Sequence, residues 1–222
     1  MGDEMKIVAL VNGKGGVGKT TSAINLAQIL SEDHRTLLVD TDPQGSASWW
    51  AGQVGESGSE WGMGFDVAQE NDPSILTSLR EVEGYDMVVA DTQPALGSRV
   101  LTTVLEGSDY VVLPTPPAPM DLTALIETVR TLISGSGVSH RVLLTRVDSR
   151  SLNEALAAQN ALLDSQIPTF HSFVRSYKAH ERAALEGIPI TAYGGRQARS
   201  AEADYRRVAD ELMRDLENGS AD

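Results

Sequence analysis

Apolar residues along this chain come in two rhythms. Short apolar runs fall within residues 6–11, 36–39, 87–91, 109–114 and 141–146, rich in Val, Ile and Leu without polar alternation. Such runs predict strands buried on both faces, as in a parallel sheet. Between them, apolar positions recur every three or four residues over 22–30, 98–105, 121–133, 151–164, 177–186 and 201–216, which predicts helices. In 121–133, Leu122, Leu125, Ile126, Val129 and Ile133 share one face. A further helix starts at 46–50, where Trp49 and Trp50 read as core, with a partner surface as the alternative. Another covers 73–81, with Asp72 or Ser74 as its cap. Ser151 with Glu154 three residues on has the form of a capping box. Residues 65–68 and 168–170 read as short strands, and 52–64, rich in Gly, Ser and Glu and carrying Trp61, as an exposed loop. Strand and helix alternate throughout. The expected fold is α/β, a mostly parallel sheet with helices on both faces, in one domain over residues 1–222.

The chemistry sits at strand ends. Directly after the first strand comes Asn12-Gly13-Lys14-Gly15-Gly16-Val17-Gly18-Lys19-Thr20-Thr21, and then a helix. Gly13, Gly18, Lys19 and Thr20 match the phosphate-loop spacing, in the strand–loop–helix context that the motif requires. Glycines let successive backbone N–H groups turn onto phosphate oxygens, and the helix aims its positive end at the same anion. Lys19 suits the β/γ-phosphates and the Thr20 hydroxyl suits Mg²⁺. Lys14 is surplus to the general pattern: a solvated charge, or a second phosphate ligand given to a nucleotide on a partner subunit. The second strand ends in Asp40-Thr41-Asp42-Pro43-Gln44-Gly45 and the third in Asp91. Carboxylates there stand where open α/β sheets bind ligands, and a hydrophobic strand closing on Asp fits a Mg²⁺ site beside a phosphate loop.

Composition narrows the classes. With no cysteine in 222 residues, disulfides and Cys-ligated zinc or iron–sulfur centres are excluded. No run approaches the roughly 20 apolar residues of a membrane span, and no signal-peptide pattern opens the chain. The expected location is the cytoplasm. The net charge of −13 argues against nucleic acid taken whole. Residues 140–207, however, hold ten Lys+Arg against seven Asp+Glu, a local excess of +3, compatible with a DNA-binding face.

These residues resemble the ParA-type partition ATPases of the deviant Walker A (SIMIBI) P-loop superfamily. The likeness is carried by Lys14 to Thr21, by Asp40 to Gly45, by the strand ending Asp91-Thr92, and by Val174-Arg175, Ala183 to Ile190 and Ala203-Asp204-Tyr205. With no helix-turn-helix domain before the phosphate loop, the chain is similar to the small plasmid-type subgroup that includes ParF. The resemblance implies ATP and Mg²⁺ as cofactors, with Gly13, Gly15, Gly16, Val17 and Gly18 cradling the phosphates and Thr21 as a further phosphate ligand. It makes Lys14 the lysine that crosses an ATP-sandwich homodimer, Asp42 the acid that positions the attacking water, Asp91 the acid that holds Mg²⁺ through water, and Asp40 a Mg²⁺-side or structural carboxylate. It implies non-specific DNA binding by Arg175 and Arg199, with Lys178 and Arg196 beside them, a nucleoid-associated location, and a small centromere-binding partner that stimulates hydrolysis. A cargo made of protein, such as a microcompartment, uses the same machinery and is the alternative. A membrane-bound regulator of the MinD type is disfavoured by the acidic, apolar-poor C-terminus. The sequence departs from the family at Gln93, where a Pro is usual, and at Thr145, where larger relatives often have an adenine-reading Asn.

Overall fold

Strand β1 (Lys6–Leu10) lies at the centre of a six-stranded parallel sheet. The computed structural model describes residues 4–53 and 62–219. From β1 the chain passes through α1 (Lys19–Leu30) to β2 (Thr36–Asp40), then through α2 (Ser46–Gly52) to β3 (Asp66–Gln69). It returns by α3 (Pro73–Leu76) to β4 (Met87–Asp91), beside β1. It then crosses by α4 (Arg99–Gly107) to β5 (Tyr110–Thr115) on the other side of β1, and by α5 (Pro119–Thr128) to β6 (Ser139–Leu144). Helices α6 (Leu152–Asp164), α7 (Lys178–Leu185) and α8 (Arg196–Gly219) complete it. The strand order β3-β2-β4-β1-β5-β6 makes the carboxyl end of β1 a topological switch point, the place where such sheets bind ligands.

The unbroken apolar runs follow from burial on both faces. Val8 and Leu10 of β1 point into a core shared with α1, α2, α7 and α8, while Ile7 and Ala9 point into a second core with α4, α5 and α6. Met87 and Val89 against Val88 and Ala90 divide in the same way. The register pairs Asp40 of β2 with Asp91 of β4, so the two acids stand side by side at the carboxyl edge.

Several element boundaries differ from the sequence reading. The expected helix at 73–81 is split into α3 and a single 3₁₀ turn, Leu79–Glu81; Asp72 is the cap, its carboxylate accepting from Ser74 N at 2.8 Å. Helix α5 begins at Pro119, whose fixed φ suits a first turn, and widens into a π turn over Val129–Ile133. The capping box does not form: the Ser151 side chain makes no capping bond, and the Glu154 N–H goes to the Ser151 carbonyl. Residues 168–170 make one bridge, Val142 to Thr169, and no strand. Helix α8 starts five residues before the expected 201, because Ala198 continues the buried row of Ala201, Tyr205, Val208 and Leu212.

Adjacent residues on a helix point about 100° apart, and the tryptophan pair divides accordingly. Trp50 is buried and donates Nε1 to the Ile188 carbonyl at 3.1 Å, whereas Trp49 is 53% exposed, so the core reading holds for Trp50 alone. Trp61 and most of the expected loop lie outside the described residues. Where α2 meets the turn after α7, Gly187 has φ +68°, and an added Cβ would lie 2.3 Å from Gln53 Cβ. Both the backbone angle and the contact demand glycine. Gly187→Ala is therefore expected to lower unfolding stability by roughly 2–4 kcal/mol in a urea titration; a change below about 0.5 kcal/mol, the level of an ordinary surface substitution, would show that this packing yields.

Candidate active site

The loop between β1 and α1 is pinned on both flanks. Asn12, buried, donates Nδ2 to the Pro114 carbonyl at 2.8 Å and accepts from Lys14 N at 2.9 Å. Thr145, at the end of β6, donates Oγ1 to the Val17 carbonyl at 2.7 Å. Gly16 and Gly18 take φ of +73° and +97°, which turns the loop into the first turn of α1. Leu96, from the segment after β4, covers Gly13 so closely that a Cβ there would meet it at 2.7 Å. The loop is thereby held open as a ring of backbone N–H groups at a helix N-terminus, a site built for anions.

Lys19 is buried, and its Nζ donates to the Asn12 and Lys14 carbonyls at 3.1 and 2.9 Å, which lays the ammonium along the loop. Burial holds its pKa below the usual lysine value, against the opposing pull of the Asp91 and Asp42 carboxylates. Thr20 donates Oγ1 to Asp91 Oδ2 at 2.6 Å. Asp91 is 1% exposed, and its Oδ1 is buried without a hydrogen-bond partner. Burial above all, with the neighbouring Asp40 and Asp42 carboxylates adding to it, raises its pKa to about 7 against the Thr20 hydrogen bond and Lys19. A buried carboxylate with one oxygen unsatisfied, next to a hydroxyl, fits a hard divalent cation. Among the described residues no three Asp, Glu or His side chains cluster as a metal cage. That suits Mg²⁺, which takes few protein ligands and completes its shell with water and phosphate.

Of the two readings of Asp40, the structure supports the structural one. Its Oδ1 accepts from Asp42 N at 3.1 Å and its Oδ2 from Ser48 N at 2.9 Å, fully buried. Both oxygens fold the Asp42 turn and tie down α2, which gives Asp40 a structural role. Asp42 is half-buried and accepts from Gln44 N at 2.9 Å, in an Asx turn that presents it to the cavity. That cavity, about 420 Å³, is lined in part by Gly15, Gly16, Gly18, Lys19, Thr20, Thr21 and Asp42. Pro94 also lines it, and Gln93 does not.

Lys14 points elsewhere. Its Nζ pairs with Asp121 Oδ1 at 2.8 Å and reaches the Met120 carbonyl at 3.3 Å, at the start of α5 and outside the cavity. The cationic residues of the last third also separate. Lys178, Arg196 and Arg199 are exposed and carry no ion pair among the described residues, and Arg182, one turn after Lys178, joins them. Arg175 does not belong with them: its guanidinium grips the fully buried carboxylate of Asp204 through Nε at 2.9 Å and Nη2 at 2.7 Å. Arg207 also pairs with Asp204, and Arg206 with Glu32 and Glu202.

The rest of the cavity wall was not legible as a site. It includes Arg146, Arg175, Tyr177, His180 and Tyr205. Thr145 donates its hydroxyl proton to the Val17 carbonyl, which leaves it only as an acceptor toward a base. Arg146 holds φ +53°, an unusual angle for a side chain of this size. His180 stands edge-on to Tyr205 with both ring nitrogens buried and without a hydrogen-bond partner of ordinary geometry. Burial lowers its pKa, against a backbone contact at Arg175 and the Asp204 charge.

The model of the CobQ/CobB/MinD/ParA nucleotide binding domain matches residues 8–190. A protein of Gloeobacter kilaueensis, "Maintenance of carboxysome distribution protein A", is 61% identical over 210 residues, 95% of either chain. The "Chromosome-partitioning ATPase Soj" of Thermus thermophilus is 32% identical over 181 residues, 67% of this chain and 72% of its own. Among solved structures, an ATP complex of Cyanothece McdA superposes with a TM-score of 0.73 at 18% identity, over 95% of this chain and 97% of that one, a likeness of fold.

Proposed function

The chain belongs to the CobQ/CobB/MinD/ParA nucleotide-binding family, and on that premise we propose that it is an ATP-hydrolysing positioning protein whose cargo is a protein assembly, the carboxysome. The observation that carries this reading is the 61% identity, over 95% of both chains, to the Gloeobacter carboxysome distribution protein. The DNA-partition reading has weaker support: the chromosome-partitioning Soj relative reaches 32% over two thirds of the chain. Protein cargo thus displaces DNA cargo as the preferred reading.

In this proposal the phosphates lie in the ring of N–H groups at Gly15 to Lys19. Lys19 exchanges its two loop carbonyls for β/γ-phosphate oxygens, and Thr21 adds a hydroxyl. Thr20 and Asp91 would hold Mg²⁺, which neutralises phosphate charge when bound. Asp42, on its Asx turn, orients a water toward the terminal phosphate, so catalysis rests on positioning and charge rather than on a strong base. A second copy of the chain facing the cavity brings Lys14 to the nucleotide.

The exposed cations Lys178, Arg182, Arg196 and Arg199, which have no ion pair among the described residues, favour DNA as the surface along which the ATP-bound protein distributes. Three or four phosphate contacts per protomer set a log–log salt slope of roughly −3 to −4 per protomer. Two measurements test the function. In the native host, loss of this protein is expected to collapse carboxysomes into clusters while plasmid and chromosome inheritance stay normal. The purified protein is expected to retard a random DNA duplex with ATP and not with ADP. Normal carboxysome spacing together with plasmid loss would return the partition reading, and DNA binding indifferent to nucleotide would remove DNA from the cycle.

A further inference from the structure

The resemblance assigns Arg175 to DNA, whereas the structure engages its guanidinium with Asp204. The segment that carries it is fastened to the end of β6, with Val147 N on the Val174 carbonyl at 3.1 Å and Ser176 N on the Val147 carbonyl at 2.8 Å. The Arg175 backbone N–H also goes to Asp204, at 3.1 Å, and its Nη2 reaches the Ser200 carbonyl at 3.4 Å. The guanidinium lies over the Tyr177 ring, 5.4 Å from its centroid. Asp204 is fully buried, so withdrawing the arginine would strip a charge-assisted, two-point partner from a carboxylate that water cannot reach. A non-specific phosphate contact, made in water and weakened by salt, is a poor exchange for that pair.

Yet the same clamp leaves one group unspent. Nε and Nη2 are committed to Asp204, while Nη1 has no hydrogen-bond partner among the described residues. Arg175 lines the same cavity as the phosphate loop, together with Arg146, Tyr177 and His180, which the loop's own residues do not supply. We propose that Arg175 is a nucleoside contact: Asp204 and Tyr177 fix the guanidinium plane, and Nη1 donates to an acceptor on the base or ribose. Asp204 is then a positioning residue that acts through Arg175. This accounts for recognition at a site where Thr145 offers a base only an acceptor. It rests on the nucleotide-site reading and is independent of cargo and of DNA.

The test compares ATP with inorganic tripolyphosphate, which fills the phosphate loop and has no nucleoside. Both are titrated calorimetrically, with Mg²⁺, into the full chain. Arg175→Lys keeps the charge and loses the fork. Arg175→Gln combined with Asp204→Asn keeps a neutral hydrogen-bonded pair and avoids a stranded buried charge, and a thermal melt confirms that it folds. In both, the ATP dissociation constant is expected to rise about tenfold, the size of one charge-assisted hydrogen bond. Tripolyphosphate affinity should be unchanged, and so should DNA retention at saturating ATP. Equal loss of ATP and tripolyphosphate would make Arg175 a support of the whole site and overturn the proposal. So would an unchanged ATP constant, and loss of DNA retention with ATP affinity intact would return Arg175 to DNA. If the wild-type protein binds no DNA or positions no carboxysome, the functional reading falls and the ATP–tripolyphosphate comparison still reads Arg175.

Discussion

At pH 8, without nucleotide or Mg²⁺, Asp91→Asn is expected to melt higher than the wild type by roughly 5 °C, and to have lost Mg²⁺-dependent nucleotide affinity. Asp91 is raised to about 7 by burial. Between the ordinary carboxylate range and pH 7 the unfolded chain has released this proton and the folded chain still holds it. Folding therefore draws on protonation at low pH, and that contribution disappears as pH rises through about 7. A rise of about three units corresponds to on the order of 4 kcal/mol. Asparagine removes the ionisation penalty but leaves a buried polar atom unsatisfied at a cost of about 1–3 kcal/mol, so a net gain of a kilocalorie or two remains. Near pH 5 the two melting curves should approach each other. With Mg²⁺ and ATP the order should reverse, because only the wild type gains stability from the bound ligand. Equal melting at pH 8, or an undiminished response to Mg²⁺, would remove Asp91 from the metal site. The site is thus held at some expense to the fold: an orphaned oxygen at Asp91 and an ammonium at Lys19 buried below its normal pKa.

What the sequence discloses follows from the range over which each residue acts. Strands β1, β4 and β5 are legible because both faces are buried, which makes their apolar character continuous. The phosphate loop is legible because its chemistry is local, with glycine angles, Lys19 and Thr20 all set by spacing along one turn. Asp91 is legible as the acid that ends a strand next to that loop. The structural role of Asp40 is not, since it shows only in the turn back to Ser48 N, eight residues on. The clamp on Arg175 is hidden for the same reason over a longer range: its partner, Asp204, lies on α8, 29 residues away. Thr145 and Val17 are 128 residues apart, and no local pattern joins them. Ser151 and Glu154 have the right spacing for a capping box, but Ser151 sits at φ −125° and ψ +43°, and its side chain makes no capping bond.

Lys14→Ala is expected to lower stimulated ATP turnover by roughly 10²–10³-fold, toward the low end of what a cation supplied in trans contributes to phosphoryl transfer, while the monomer binds ATP nearly as before. The second half of that expectation follows from the geometry. Within one chain Lys14 lies outside the cavity, paired with Asp121 and the Met120 carbonyl, and the phosphate site is complete without it. The first half follows from its place in the loop. Its backbone N–H is fixed by Asn12, so the side chain leaves from the rim, where a facing copy of the chain would be met. The contact with Asp121 is half-exposed and of the kind worth at most about 1 kcal/mol, so it can be exchanged for a triphosphate across a dimer. Asp121→Asn is the complement: with its resting partner weakened, Lys14 is freer to cross, and ATP-dependent dimerisation should tighten by a few-fold, as that same pair energy allows. Sedimentation with a non-hydrolysable ATP analogue separates the two variants, since Lys14→Ala should stay monomeric while Asp121→Asn dimerises at lower concentration. If Lys14→Ala dimerises and turns over normally, the lysine is a surface charge and the site is complete in a single chain.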